Sequence, residues 1–351
     1  MNVTNVLIDK LAPEFPILRL GLLGFNAAQQ ALFETALVVL RTRLRWRVVS
    51  LDQADAVCVN GSRTTALPDG CLEIAHPTPG MAPLRIDPAD SDRPMAFSLP
   101  LAPGILAASS FDIASPPSTR AMLEKFEGWL RPLTVQFCLA SRLVQTKLDV
   151  ASCVYHVTVD GRLVAVVSRR TGVGVLPIAD PFHLENALWA RRPGPADEIP
   201  SHFAQAGLSQ VLWQYAMRTT RSLLPGYFRS GPIYWCRAPQ LPQRLFGDSH
   251  LMIVRELAQA PVSFSELRQR TGLPEAVVAR DLAGLRIVGA VTHDRKQALR
   301  LAQQPAATNA SNGDAHRQRA PAAPLRPSVL ASGGAAMGDM TAPAPLTPQP
   351  S

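Results

Sequence analysis

Apolar residues along the first sixty positions follow two different periods. ILRLGLLGF (17–25) is an almost unbroken apolar run, the pattern of a strand covered on both faces, and Gly24 punctuates its end. Asn26 is placed to cap the segment that follows, in which Leu32, Ala36, Val39 and Leu40 recur at helical spacing. WRVVSL (46–51) and DAVCV (55–59) then read as two short strands, the second ending at Asn60-Gly61. Strand, helix, strand, turn, strand at these lengths predicts a parallel α/β sheet. From 62 to 117 prolines interrupt any long element. Pro83–Ile86 and Met95–Leu99 are the two strands expected to complete the sheet.

Met122, Phe126, Trp129, Leu130 and Leu133 next give one helical stripe, which Pro132 ends or kinks. The period changes again at 153. Val154–Val159 and Arg162–Ser168 flank Asp160-Gly161, a strong signal for a type I′ hairpin, and Thr171-Gly172 offers a second turn. A three-stranded meander follows from this, succeeded by helices expected near 183–191 and over 202–218. Between 248 and 294 the pattern predicts three helices and a short strand. The second helix is marked by the Ser263/Glu266 capping box, the break by Thr271-Gly272, and the third helix by Pro274 in its first turn. These shifts divide the chain into an extension (1–16), an α/β unit (17–104), a central α+β unit (118–247), a helical unit (248–302) and a tail (303–351). The tail holds eight of the 32 prolines and no aromatic residue, so it is expected to be disordered.

Composition narrows the classes. With 47% hydrophobic residues in 351, the chain is long enough for two or three ordinary cores. The formal charge of +8 is compatible with a polyanionic partner, yet it is diffuse and carried almost wholly by Arg. Five scattered cysteines form no CxxC pair and sit beside no His at ligand spacing, as for reduced thiols in a cytoplasmic protein. The uncharged stretch Leu20–Phe33 falls short of the roughly 20 apolar residues of a membrane span. No histidine falls in a recognised catalytic order, and no cofactor motif is complete: GLLGFN and RRTGVGVLP both miss G-x-G-x-x-G. The expectation is a protein that is not an enzyme and needs no cofactor.

In element order and in its strand-ending Asn60-Gly61, the block 17–104 resembles the receiver domain of bacterial response regulators; an unrelated flavodoxin-like or Rossmann-like unit is the alternative. A receiver needs acids after its first strand to hold Mg²⁺, an Asp ending its third strand, and a Lys after its fifth. Here the first position reads Leu23-Gly24-Phe25-Asn26, the phosphoacceptor position holds Asn60, and the fifth-strand candidate MAFSLPL has no Lys. The resemblance therefore implies a degenerate receiver that docks partners without taking a phosphoryl group. LRQRTGLPEAVVARDLAGLRIVGAVT, within 248–294, resembles a winged helix-turn-helix. If it grips DNA, Arg270 and Arg280 with the wing residues Arg295 and Lys296 are the candidate contacts. A further cluster interleaves aromatics with Arg: Arg169, Arg170, Tyr234, Trp235 and Arg237 are the candidates for holding a cyclic dinucleotide. The expected protein is thus a regulatory chain with a parallel receiver-like sheet, a central mixed unit with a β-meander and a winged helix. It acts through a protein partner or self-association, through DNA in the second reading, and through a cyclic nucleotide in the third.

Overall fold

In a computed structural model, which describes residues 5–6, 13–40, 42–89, 91–105, 107–146, 148, 153–192 and 198–303, the run at 17–25 becomes strand β1 (Leu18–Leu23). The tail expected from 303 lies outside the described residues apart from Gln303, as does most of the extension. Asn26 caps helix α1 (Ala27–Val39) through a full capping box with Gln29, and β2 (Trp46–Val49) and β3 (Ala56–Asn60) follow. Met95–Ser98 is β4, and two residues further along, Ser110–Phe111, supply β5. All five strands are parallel, in the order β2-β1-β3-β4-β5. MAFSLPL is therefore the fourth strand of this sheet, not the fifth.

The expected strand at Pro83–Ile86 exists as Leu84–Ile86 but does not join the parallel sheet. It pairs antiparallel with Leu72–Ile74, which pairs with Thr64–Ala66. This small sheet takes the place of a crossover helix between β3 and β4. The reason lies in β3, whose residues alternate: Ala56 and Cys58 face the helices, while Val57 and Val59 pack with Leu72 and Ile74. Both faces of β3 are thus covered without a second helix. Burial also pushes the Cys58 thiol up, away from thiolate reactivity.

Helices α2 (Pro116–Trp129) and α3 (Arg131–Thr146) divide at Leu130, with Pro132 in the first turn of α3. Every residue of α3 from Thr134 to Leu143 is buried, the polar Gln136, Ser141 and Arg142 among them, so its polar positions do not mark an outer face. The meander forms as expected: β6 (Val154–Val159), β7 (Arg162–Ser168) and β8 (Gly172–Val175) are consecutive antiparallel neighbours. Asp160 (φ 49°) and Gly161 (φ 76°) both adopt the left-handed region that a type I′ turn requires. The helix expected near 183–191 is instead a short turn over 181–186 and a strand, β9 (Leu188–Arg192), because the open edge of β6 pairs with it. Ala204–Ala206 likewise forms β10 against β8, so α4 runs only from Leu208 to Arg218. With Asn5–Val6 at one edge, these strands make a six-stranded antiparallel sheet whose core meets α3 and α4 through residues such as Phe137 and Tyr215.

Beyond α4, β11 (Pro232–Trp235) precedes α5 (Asp248–Gln259), β12 (Val262–Ser263), α6 (Phe264–Thr271), α7 (Glu275–Ile287), β13 (Val291–Thr292) and α8 (Arg295–Gln303). Ser263 and Glu266 form the predicted box, and Gly272 (φ 67°) ends α6. Gly289 (φ 74°) closes α7: its N–H and that of Ala290 bond the carbonyls of Arg286 and Leu285, the paired bonds of a Schellman end. β11 is the middle strand of a three-stranded sheet, bonding β12 with its first half and β13 with its second. That occupancy corrects the expectation for 295–296. A wing is a hairpin that supplies β13 with a partner; here β11 already fills the slot, and Arg295 and Lys296 open a helix.

Candidate functional site

The carboxyl ends of β1 and β3 mark where strand order reverses, the usual place for a ligand in such a sheet. Here that place is filled. Asn60 is buried; its Oδ1 accepts from the Ser62 N–H (3.2 Å) and hydroxyl (2.8 Å), and its Nδ2 donates to the Gly24 carbonyl (3.2 Å). A side chain at Gly24 would meet Ile74 Cγ2 at 3.0 Å and Asn60 Cβ at 3.2 Å. The amide is bound on both its donor and its acceptor side, so Asn60 serves as a structural clasp.

Asn60→Asp accordingly turns one oxygen toward the Gly24 carbonyl, and we expect a loss of roughly 2–3 kcal/mol at neutral pH. The sign with pH follows. Burial and the facing Gly24 carbonyl outweigh the two Ser62 donors and make the carboxyl protonate more readily folded than unfolded, so stability falls as pH rises above about 4. Urea denaturation at pH 5 and pH 8 should show the larger penalty at pH 8. An unchanged midpoint at both, or a stable adduct with acetyl phosphate, would overturn this account.

A denser polar junction forms at the C-terminal end of α4, where consecutive residues reach three parts of the chain. Arg218 makes a bidentate ion pair with Asp55 at 2.6 and 2.7 Å, both side chains being largely buried. Asp55 also accepts the Arg19 N–H (3.0 Å), and the Arg19 guanidinium donates to the Met217 carbonyl (3.2 Å). Burial, with the neighbouring charge of Arg218, lowers the Arg19 pKa to about 10. Glu14, in the segment before β1, accepts from the Tyr215 hydroxyl (3.1 Å), the Thr219 hydroxyl (2.7 Å) and the Thr220 N–H (3.0 Å).

The third contact of α4 is with the C-terminal helices. Gly284 of α7 lies under Trp213: a methyl there would sit 2.5 Å from Met217 Cε and 3.1 Å from the Trp213 ring. Met217 Sδ lies 3.3 Å from Nε2 of His250. The Nδ1 of that histidine accepts the Gly247 N–H at 2.8 Å, so the ring's proton sits on Nε2, which faces Asp281 at 3.4 Å. Burial alone would raise the Asp281 pKa, but His250, Ser249 (2.7 Å) and Arg280 (3.1 Å) hold it below the ordinary carboxylate range. Arg280 in turn is among the charges that lower Arg19. None of these partners was legible in the sequence; Asp55 and Arg218 are 163 positions apart.

The four candidate DNA contacts lie on three helices. Arg270 ends α6 with Glu256 3.9 Å away, Arg280 is held by Asp281 midway along α7, and Arg295 and Lys296 begin α8. From Asp281 to Leu285 α7 is buried throughout, which leaves only its first half facing outward. At that end Glu275 is paired by Arg229 and by Arg268. The aromatic and guanidinium candidates are likewise divided between two sheets. Arg169 and Arg170 form the exposed turn between β7 and β8, whereas Tyr234 and Trp235 are strand residues of β11, with Arg237 just beyond.

No family model matches the chain, and comparison with curated proteins and with solved structures returns no match either. Among the described residues no helix is long and apolar enough to cross a membrane, and no group of three or more His, Cys, Asp or Glu is placed to hold a metal ion.

Proposed function

We propose that the chain is a non-enzymatic bacterial regulatory protein that acts through protein binding. In this reading a phosphorylation-incompetent receiver-like unit passes the state of its surface through α4 to a C-terminal unit related to winged helices. The strand order β2-β1-β3-β4-β5 is that of receiver and flavodoxin-like sheets, and the clasped Asn60 suits a unit that communicates by shape. The observation that carries the reading is the α4 junction, where a few residues bond the α/β unit, the segment before it and α5–α7 together. Two packed arrangements of such a junction are the kind of element by which one surface biases another.

The test is amide exchange in the full chain. Glu14→Ala frees the end of α4, and exchange in α6 and α7 should rise about tenfold while the Asp160-Gly161 hairpin stays unchanged. Unchanged exchange in α7 would sink the relay. The DNA reading is separated by fluorescence anisotropy with a duplex of about 24 base pairs: we expect no saturable binding at about 10 µM protein in 0.2 M salt. Tight binding that weakens about a thousandfold between 0.05 and 0.2 M salt, and is lost in Arg270→Ala/Arg280→Ala, would make the chain a DNA-binding regulator.

A further inference from the structure

Between α3, α4 and the C-terminal unit lies a cleft of about 400 Å³, the size of a small-molecule site. Its floor is apolar, formed by Leu143, Leu212, Phe228 and Val291, and its rim carries Tyr227, His293 and Gln297. The Tyr227 and His293 rings lie 4.1 Å apart, and His293 is 5.7 Å from Phe228, so three flat side chains crowd one wall. Thr292 holds Gln297 in place through a 2.6 Å hydrogen bond.

The charge of this cleft is one-sided. Among the described residues that line it, Arg286 is the only Lys or Arg, and none is Asp or Glu. A cation at the C-terminal turn of α7 is favoured by the helix carbonyls in any case. Yet the Arg286 guanidinium is turned across the Phe228 ring at 6.0 Å, half-buried, with no carboxylate partner among the described residues. A second guanidinium without such a partner, Arg237, stands beside Gly289 at the same end, 3.5 Å from where a side chain on that glycine would begin. Most exposed arginines of this unit are spent on acids: Arg229 and Arg268 on Glu275, Arg255 on Glu256, Arg280 on Asp281. Arg286 keeps a planar fork of donors over an apolar, aromatic pocket, which is the geometry that holds a carboxylate or phosphate.

We infer that this cleft binds a small organic anion: a flat apolar body against Phe228, Tyr227 and His293, with its carboxylate or phosphate on Arg286. The site is separate from the α4 junction's polar contacts, and it touches both α4 and the C-terminal unit, so its occupant would brace the two.

The experiment is calorimetric titration of the full chain with 2-naphthoate, 2-naphthyl phosphate and the uncharged naphthalene-2-carboxamide. One of the anions should bind one to one with a Kd on the order of 0.1–1 mM, the range for a ligand of this size, and about tenfold more tightly than the amide. Either order of the two anions supports the inference and names the head group. Arg286→Gln should bring the anion down to the amide's affinity and leave the amide unchanged, with the circular dichroism melt as the check on folding. Equal affinity of anion and amide, binding indifferent to Arg286→Gln, or no heat with any probe at about 5 mM overturns it.

Discussion

Arg218→Ala is expected to lower the stability of the folded chain by about 3 kcal/mol, read as a shift in the guanidinium midpoint followed by tryptophan fluorescence. Removing one partner of a buried ion pair typically costs about 3–5 kcal/mol because a charge is left buried without its counterion. The lower end applies because Asp55 keeps the Arg19 N–H, and because the Arg19 guanidinium is relieved of the repulsion that Arg218 exerts on it. Asp55→Ala should cost a similar amount, and Asp55→Ala/Arg218→Ala clearly less than the sum of the two, since the double variant leaves no orphaned charge. Additive losses, or a single-variant loss below about 1 kcal/mol, would show that the pair is not the tie described.

Trp213→Ala is expected to cost still more, about 3–5 kcal/mol, and to act on one part of the molecule first. The indole is almost fully buried, stands edge-on to His250 with ring centres 4.9 Å apart, packs against Phe246 at 5.4 Å and covers Gly284. Truncation leaves a void that Gly284, with no side chain, cannot fill. The C-terminal helices should then open before the rest. Limited proteolysis should cut within 248–303 while the six-stranded sheet resists, and the denaturation curve should become biphasic. A single unchanged transition would mean that α7 does not depend on α4.

The two variants touch the junction that the sequence could not disclose. What was legible is local. Asn26 before α1, Asp160-Gly161 between β6 and β7, and Ser263 with Glu266 each specify a turn or a cap within four residues, and each appears as read. The elements missed or misassigned lack such local marks. α3 is buried on every side, β5 has only two residues, and β9 is a strand because a neighbour's open edge claims it. The site was the least legible part of all. Arg286 reads in sequence as one more arginine near a helix end, and what sets it apart is that no described residue around the cleft is an acid. Glu14, Asp55 and Arg218 show no period and no motif; they are joined by the path of the chain through three units.

The placement of β11 bears on how this protein is dissected. A cut at 248, where the periodicity of the helical unit begins, would leave α5–α8 without the strand that separates β12 from β13, and each of those would lose its ladder bonds to β11. A recombinant fragment intended to isolate that unit has to start upstream of Pro232. Any transplant of it into another protein would have to carry Tyr227 and Phe228 as well, so most of the anion cleft travels with it.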